Sequence, residues 1–252
     1  MEGKLVAQTL ERIGKNDSLD SSALTGLQDV VTFVESICDG LGFCLSEKGD
    51  LLSQWRGYAA DAGGFSIGFS KKYLSELTAS KKNEIGSSLL KVCYTLAEHE
   101  DLVRPTYETA KKYLENGKFR LPRPRMLLDL RTDAEIENEF EEYKKNHAAV
   151  YMSALPLLTK LYALKSIAFQ EEQEWRMMAY SLQNEHDSCC YRAMKDRIVP
   201  YMDINLVPLE DEPIVEVLIG PKNLTPVNVV EGVLKKHGFN NVSVTRSIAT
   251  YR

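Results

Sequence analysis

The sequence predicts an α+β protein, and three observations carry that prediction. Apolar residues recur at helical spacing near the N-terminus, β-branched and alternating residues concentrate in the last third, and no regular strand–helix–strand alternation joins the two. With 252 residues and 44% apolar content, the chain has enough material for one large core without disulfide or metal staples. One domain over residues 1–252 is therefore expected, with a helical N-terminal part over 1–40 and the remaining core over 41–252.

Leu5 to Ile13 spaces its apolar residues as one face of a helix, and Leu24 to Cys38 repeats that spacing after the cap candidates Ser21 and Ser22. Gly40 and Gly42 end the helical run, and Phe43 to Ser46 reads as a short strand. Glu47 to Ala62 lacks strand alternation and predicts a short helix or structured turn closed by Gly63 and Gly64. Phe65 to Ser70 alternates large and small residues, which puts Phe65, Ile67 and Phe69 on one face, expected to lie in the core. Lys71 to Thr78 predicts a short helix, Leu89 to Tyr94 either a strand or the start of a helix, and Tyr107 to Asn116 a helix. Pro122 and Pro124 force Lys118 to Arg125 into an extended or looped path. From the Thr132-Asp133 cap signal to Leu164 the pattern is helical, broken at Pro156 into two helices or one kinked one. Glu174 to Tyr180, Arg197 to Leu206 and Ile214 to Ile219 are the strongest strands, followed by a turn at Gly220-Pro221, a helix from Pro226 to Lys236 stopped by Gly238, and a strand from Asn241 to Arg246.

The 31 basic and 36 acidic residues give a formal charge of -5, which implies no general attraction to nucleic acid or acidic membranes. Five unevenly spaced cysteines with no apolar signal region point away from a disulfide framework and toward a reducing cytoplasm. No run is long and apolar enough to span a bilayer, so no membrane role is expected. His186 with Cys189 and Cys190 lacks a second ligand pair, so no metal site is expected either. Phosphate-loop, dinucleotide and serine-elbow motifs do not occur.

Two stretches concentrate chemistry. Ser46 to Tyr58 brings hydroxyl, carboxylate, amide, indole, guanidinium and phenol groups together, the usual parts of a small-molecule pocket, although Trp55 and Tyr58 at helical spacing equally suit plain core packing. In Gln170 to Arg176, alternation sets Glu172, Glu174 and Arg176 on one side of a strand and Gln173 with Trp175 on the other. That carboxylate face fits a substrate with developing positive charge, or a solvated edge with a glutamate paired to Arg176. Lys118, Arg120, Arg123, Arg125 and Arg131 form a basic cluster that either meets phosphates or balances the acidic helix Asp133 to Glu142.

Six elements, in order, resemble the bacterial domain-of-unknown-function family numbered twenty-nine seventy-one. They are Phe43-Cys44-Leu45-Ser46-Glu47 with Asp50; Gln54-Trp55-Arg56-Gly57-Tyr58; Gly64 to Phe69; Glu172-Gln173-Glu174-Trp175-Arg176; Ile219-Gly220-Pro221; and Ser247 to Tyr251-Arg252. That family is similar to ADP-ribosyltransferase-like folds, so the resemblance implies a mixed, mainly antiparallel split sheet with helices packed on it and a cleft for NAD. It implies Glu174 as the catalytic glutamate, Tyr58 or Trp55 stacking on nicotinamide, and Ser46, Gln54 or Arg56 contacting ribose or phosphate, with Glu172 and Arg176 beside them. Under it the chain is an NAD-dependent transferase, a toxin or phage-defence effector with a nucleic-acid or protein target. The family's His-Tyr-Thr-like opening strand has no counterpart before Phe43, and the first histidine is His99. The alternative it leaves is a non-catalytic ligand- or partner-binding domain.

Overall fold

The computed structural model describes residues 2–80, 87–114, 119–182 and 189–251. The chain divides into two compact units, one formed by 1–40, 92–167 and 180–188 and the other by 41–91, 168–179 and 189–252. The first is helical: α1 (Glu2–Asn16), α2 (Ser21–Ile37), α5 (Leu96–Leu114) and α6 (Asp133–Ala154). Helical spacing at 3.6 residues per turn puts Val6, Leu10 and Ile13 of α1, and Leu27, Val30, Val31 and Val34 of α2, on the buried faces. They meet Val103, Tyr107, Ala110 and Leu114 of α5 and Val150 and Ala154 of α6. The cap of α2 is Asp20, which accepts from the Ala23 amide, rather than either serine after it. The helix expected at Tyr107 to Asn116 begins at Leu96 and carries Pro105 inside it; Asn116 lies outside the described residues. Thr132 and Glu135 form a reciprocal capping box, and α6 stops just before Pro156, where single 3-10 turns take over.

The other unit is built on sheets. Strand β1 (Cys38–Ser46) neighbours β4 (Glu174–Leu182), which in turn pairs antiparallel with β3 (Ser88–Lys91), so β4 is the central strand. Helix α4 (Lys71–Ala79) supplies Tyr73, Leu74 and Leu77 to a cluster with Met177 of β4. A second sheet runs β2-β7-β8: β2 (Phe65–Phe69) is antiparallel to β7 (Ile214–Ile219), and β8 (Ser243–Arg246) is parallel to it, joined by α7 (Val227–Lys236). β5 (Cys190–Ala193) and β6 (Ile198–Tyr201) form a hairpin; β6 is shorter than the Arg197 to Leu206 run. The result is a mixed α/β protein with small antiparallel and mixed sheets. Among the described residues no helix is long and apolar enough to cross a membrane.

One burial expectation is overturned. Phe65 and Ile67 are 44% and 51% exposed. Alternation set their common face correctly, opposite Ile219 and Val217, but β2 is an edge strand. Their partners Ile219 and Val217 on the central strand β7 are buried on that same face, at 0% and 5% exposure, whereas the edge position leaves Phe65 and Ile67 open; on the other face Leu218 packs on Trp55 and Ala62.

Between α3 (Leu52–Tyr58) and β2, Ala60, Asp61 and Ala62 all adopt left-handed backbone, with φ of 48°, 54° and 69°. Each costs about 1–2 kcal/mol without a glycine, and the turn persists because it is tied at many points. The Ala62 amide donates to the Trp55 carbonyl, while Lys222 and Gly220 donate back to Ala62 and Gly64. Gly220 is required here: a Cβ would sit 2.5 Å from the Ala62 carbonyl oxygen and 2.8 Å from that of Gly64. Gly220→Ala should therefore lower unfolding stability by about 1–3 kcal/mol in urea titration; an unchanged midpoint would mean that the turn is not locked in this way.

Candidate functional site

The two stretches singled out by sequence meet where β1 ends and β4 begins. The Ser46 hydroxyl donates to the Glu172 carbonyl at 2.7 Å, and the Glu47 amide donates to the Gln173 carbonyl at 3.0 Å. Glu172 is not in the strand but ends a 3-10 turn over Ile167–Glu172, and Gln173, with φ of 43°, redirects the chain so that β4 starts at Glu174. Alternation then holds from Glu174 onward. Glu174 and Arg176 are 5% and 7% exposed, and the guanidinium grips the carboxylate through Nε at 2.8 Å and Nη2 at 3.2 Å. The solvated-edge placement is thus corrected, since β4 has a neighbour on each side, while the pairing of Glu174 with Arg176 is observed.

Trp175 points to the opposite face and stays half-buried. Its indole N–H donates to Glu47 Oε1 at 2.7 Å, and Lys91 Nζ donates to the same oxygen at 3.0 Å. Lys71 and Lys91 place their ammonium groups 4.2 and 5.6 Å from the ring centroid. The hydrogen bond from Trp175, then that from Lys91, holds the Glu47 carboxyl below the usual range. Lys71 opens α4 and Lys91 closes β3. Neither stood out in the sequence, because Lys91 reaches Trp175 only through the β3–β4 register, which local patterning does not encode.

The remaining candidates lie with the other sheet. Trp55 is buried against Ala62 and Leu218, and its N–H donates to Asp50 Oδ1 at 2.6 Å. Asp50 also accepts from the Ser247 hydroxyl and the Ile248 amide, pinning residues 247–251 to the start of α3. Burial pushes the Asp50 carboxyl up, but the hydrogen bonds from Ser247, Trp55 and Ile248 outweigh it and leave its pKa below the ordinary aspartate range. Arg56 lies over the Tyr251 ring at 5.1 Å, as does Lys222 at 3.7 Å. Gln54 is half-buried on α3, and Tyr58 is 79% exposed. The structure therefore sorts the candidates into two groups, one around β4 and one around α3, with Trp55 committed to packing. Of the basic cluster, Arg125 and Arg131 reach Asp133 and Glu139 of the acidic helix, Arg131 also pairs with Asp129, and Arg120 pairs with Asp20. Lys118 and His186 lie outside the described residues.

Residues 54–177 match the model of the family described as protein of unknown function DUF2971. The chain belongs to the DUF2971 family. The match begins within α3, takes in β2, α4, β3, α5 and α6, and ends within β4 just past the Glu174–Arg176 pair. The resembling elements at Phe43 to Asp50, Ile219 to Pro221 and Ser247 to Arg252 fall outside it. No curated protein and no solved structure matches the chain.

Two measurements follow from this geometry. Arg176→Ala removes the guanidinium from a buried carboxylate and should cost about 3–5 kcal/mol, whereas replacing Glu174 and Arg176 together by Leu and Met should cost far less; equal losses would show that the pair does not act as a unit. Asp50 has a depressed pKa when folded, so its contribution is present at neutral pH and lost as pH falls through that folded value. The stability gap between the native chain and Asp50→Asn should accordingly be widest near neutral pH and close below about pH 4. A gap that stays constant with pH would contradict this.

Proposed function

We propose that this DUF2971 protein binds a phosphate-bearing nucleotide at the Trp175 surface, and that Glu174 belongs to the scaffold and not to a catalytic centre. The observation that carries this reading is a half-buried indole with two ammonium groups close to its ring. A flat aromatic surface suits a base or nicotinamide ring, and lysine ammonium groups suit phosphate oxygens. Glu47 offers a carboxylate to a ribose hydroxyl or an exocyclic amine beside them.

Glu174 is supported as scaffold by its burial and by the two hydrogen bonds from Arg176. A glutamate that stabilises an oxocarbenium-like centre needs its charge directed at the reacting carbon, whereas this charge is already compensated by a guanidinium. NAD is one ligand of the proposed class, bound without cleavage. This is the non-catalytic alternative with a ligand class attached.

The chain has two tryptophans, and Trp55 is buried, so a ligand-induced fluorescence change reports chiefly on Trp175. Titration with NAD or ADP-ribose should produce a saturable change, and Lys71→Ala with Lys91→Ala should weaken it by about tenfold or more. Absence of any change with either compound would sink the proposal. Release of nicotinamide that Glu174→Gln abolishes would restore the transferase reading instead.

A further inference from the structure

The helical unit carries a surface that the nucleotide proposal does not use. Between α5 and α6, the irregular stretch 121–130 turns Leu121, Met126, Leu127, Leu128 and Leu130 into water, the last three at 103%, 90% and 98% exposure. Single exposed leucines are ordinary, but five large apolar side chains within ten residues concentrate apolar surface of the kind that marks an interface.

Its surroundings identify the occupant. Arg123 and Arg125 flank the apolar residues, and the first turns of α6 carry Asp133, Glu135, Glu137, Glu139, Glu141 and Glu142. Arg125 pairs with Asp133, Arg131 with Asp129 and Glu139, and Lys144 with Glu141, within the chain. Arg123 and Glu137 have no ion-pair partner among the described residues. Glu137 and Glu141 share one face of α6 at i and i+4, and Phe140, 41% exposed, adds an apolar contact on the same stretch. Both halves of a complementary pair thus stand on one surface: a basic, apolar loop and an acidic helix. A two-fold contact requires that arrangement, because residue i of one copy meets residue j of the other and j meets i. Anionic lipid or nucleic acid would face the carboxylates of α6 directly beside the loop, which disfavours both.

We propose that two copies of the chain associate through this surface, stretch 121–130 of each lying on the exposed acidic face of α6 in the other, with Arg123 directed at Glu137. Burying the five apolar side chains on each side supplies the affinity, and the charges set the register.

Sedimentation equilibrium of the full chain over a concentration series tests it. A concentration-dependent species of twice the 28.5 kDa chain mass is expected. Leu127→Asp with Leu128→Asp should be monomeric throughout while melting like the parent, since both residues are solvent-exposed. Arg123→Glu and Glu137→Lys should each weaken self-association, and mixing these two variants should recover a heterodimer because both reciprocal contacts then pair opposite charges, one native and one reversed. A parent that is monomeric at every concentration, a dimer indifferent to the Leu127 and Leu128 changes, a mixture with no recovery, or a monomer captured by phosphatidylserine vesicles would overturn the proposal.

Discussion

A carboxylate and a guanidinium sealed into the central strand of a three-stranded sheet fix what its two faces can do. Burying either charge alone costs several kcal/mol, so the Glu174–Arg176 pair forms as a unit or the strand does not form in this register. With Glu174 and Arg176 directed inward, strand alternation sends Trp175 to the other face, where Glu47 and the lysines of α4 and β3 meet it. The turn at Gln173 sets the starting phase: its left-handed backbone ends the 3-10 turn and lets the carbonyl accept from Glu47. The inward ion pair and the surface indole are therefore two consequences of one register.

The second sheet rests on a different device. Asp50 gathers the Trp55 indole, the Ser247 hydroxyl and the Ile248 amide, joining the start of α3 to a segment almost two hundred positions later. The left-handed turn at Ala60 to Ala62 is held in the same neighbourhood by main-chain bonds to Gly220 and Lys222. The Tyr251 phenol donates to Asp61, which Lys222 also reaches at 2.6 Å. Aromatic and charged groups that resemble a ligand box in sequence are here largely consumed by the closure of the fold.

Much of this was legible in the sequence because it is local. The periodicities of α1, α2, β4 and β7, the stop at Gly238, the break at Pro156 and the Thr132 cap are each written within a few residues. The family was legible too, since its elements keep their order along the chain. What sequence could not supply was position within a sheet. Phe65 and Ile67 have the right alternation for a core strand, yet lie on an edge; Glu172 to Arg176 look like a charged edge, yet begin a central strand. Strand order depends on pairing between distant segments, and neither composition nor spacing carries it. For the same reason Glu47, Lys71 and Lys91, drawn from three separate elements, gather at Trp175 without a motif to announce them.

Under the proposed function the surface at Trp175 takes the ligand while Glu174 stays locked. A crystal structure of the chain soaked with NAD or ADP-ribose tests it most directly. Ligand density is expected against the Trp175 ring with phosphate oxygens at Lys71 and Lys91, and the Glu174–Arg176 bond unchanged at 2.8 Å. Density placing a ribose against Glu174, with the Arg176 contact opened to admit it, would instead make Glu174 part of the ligand site.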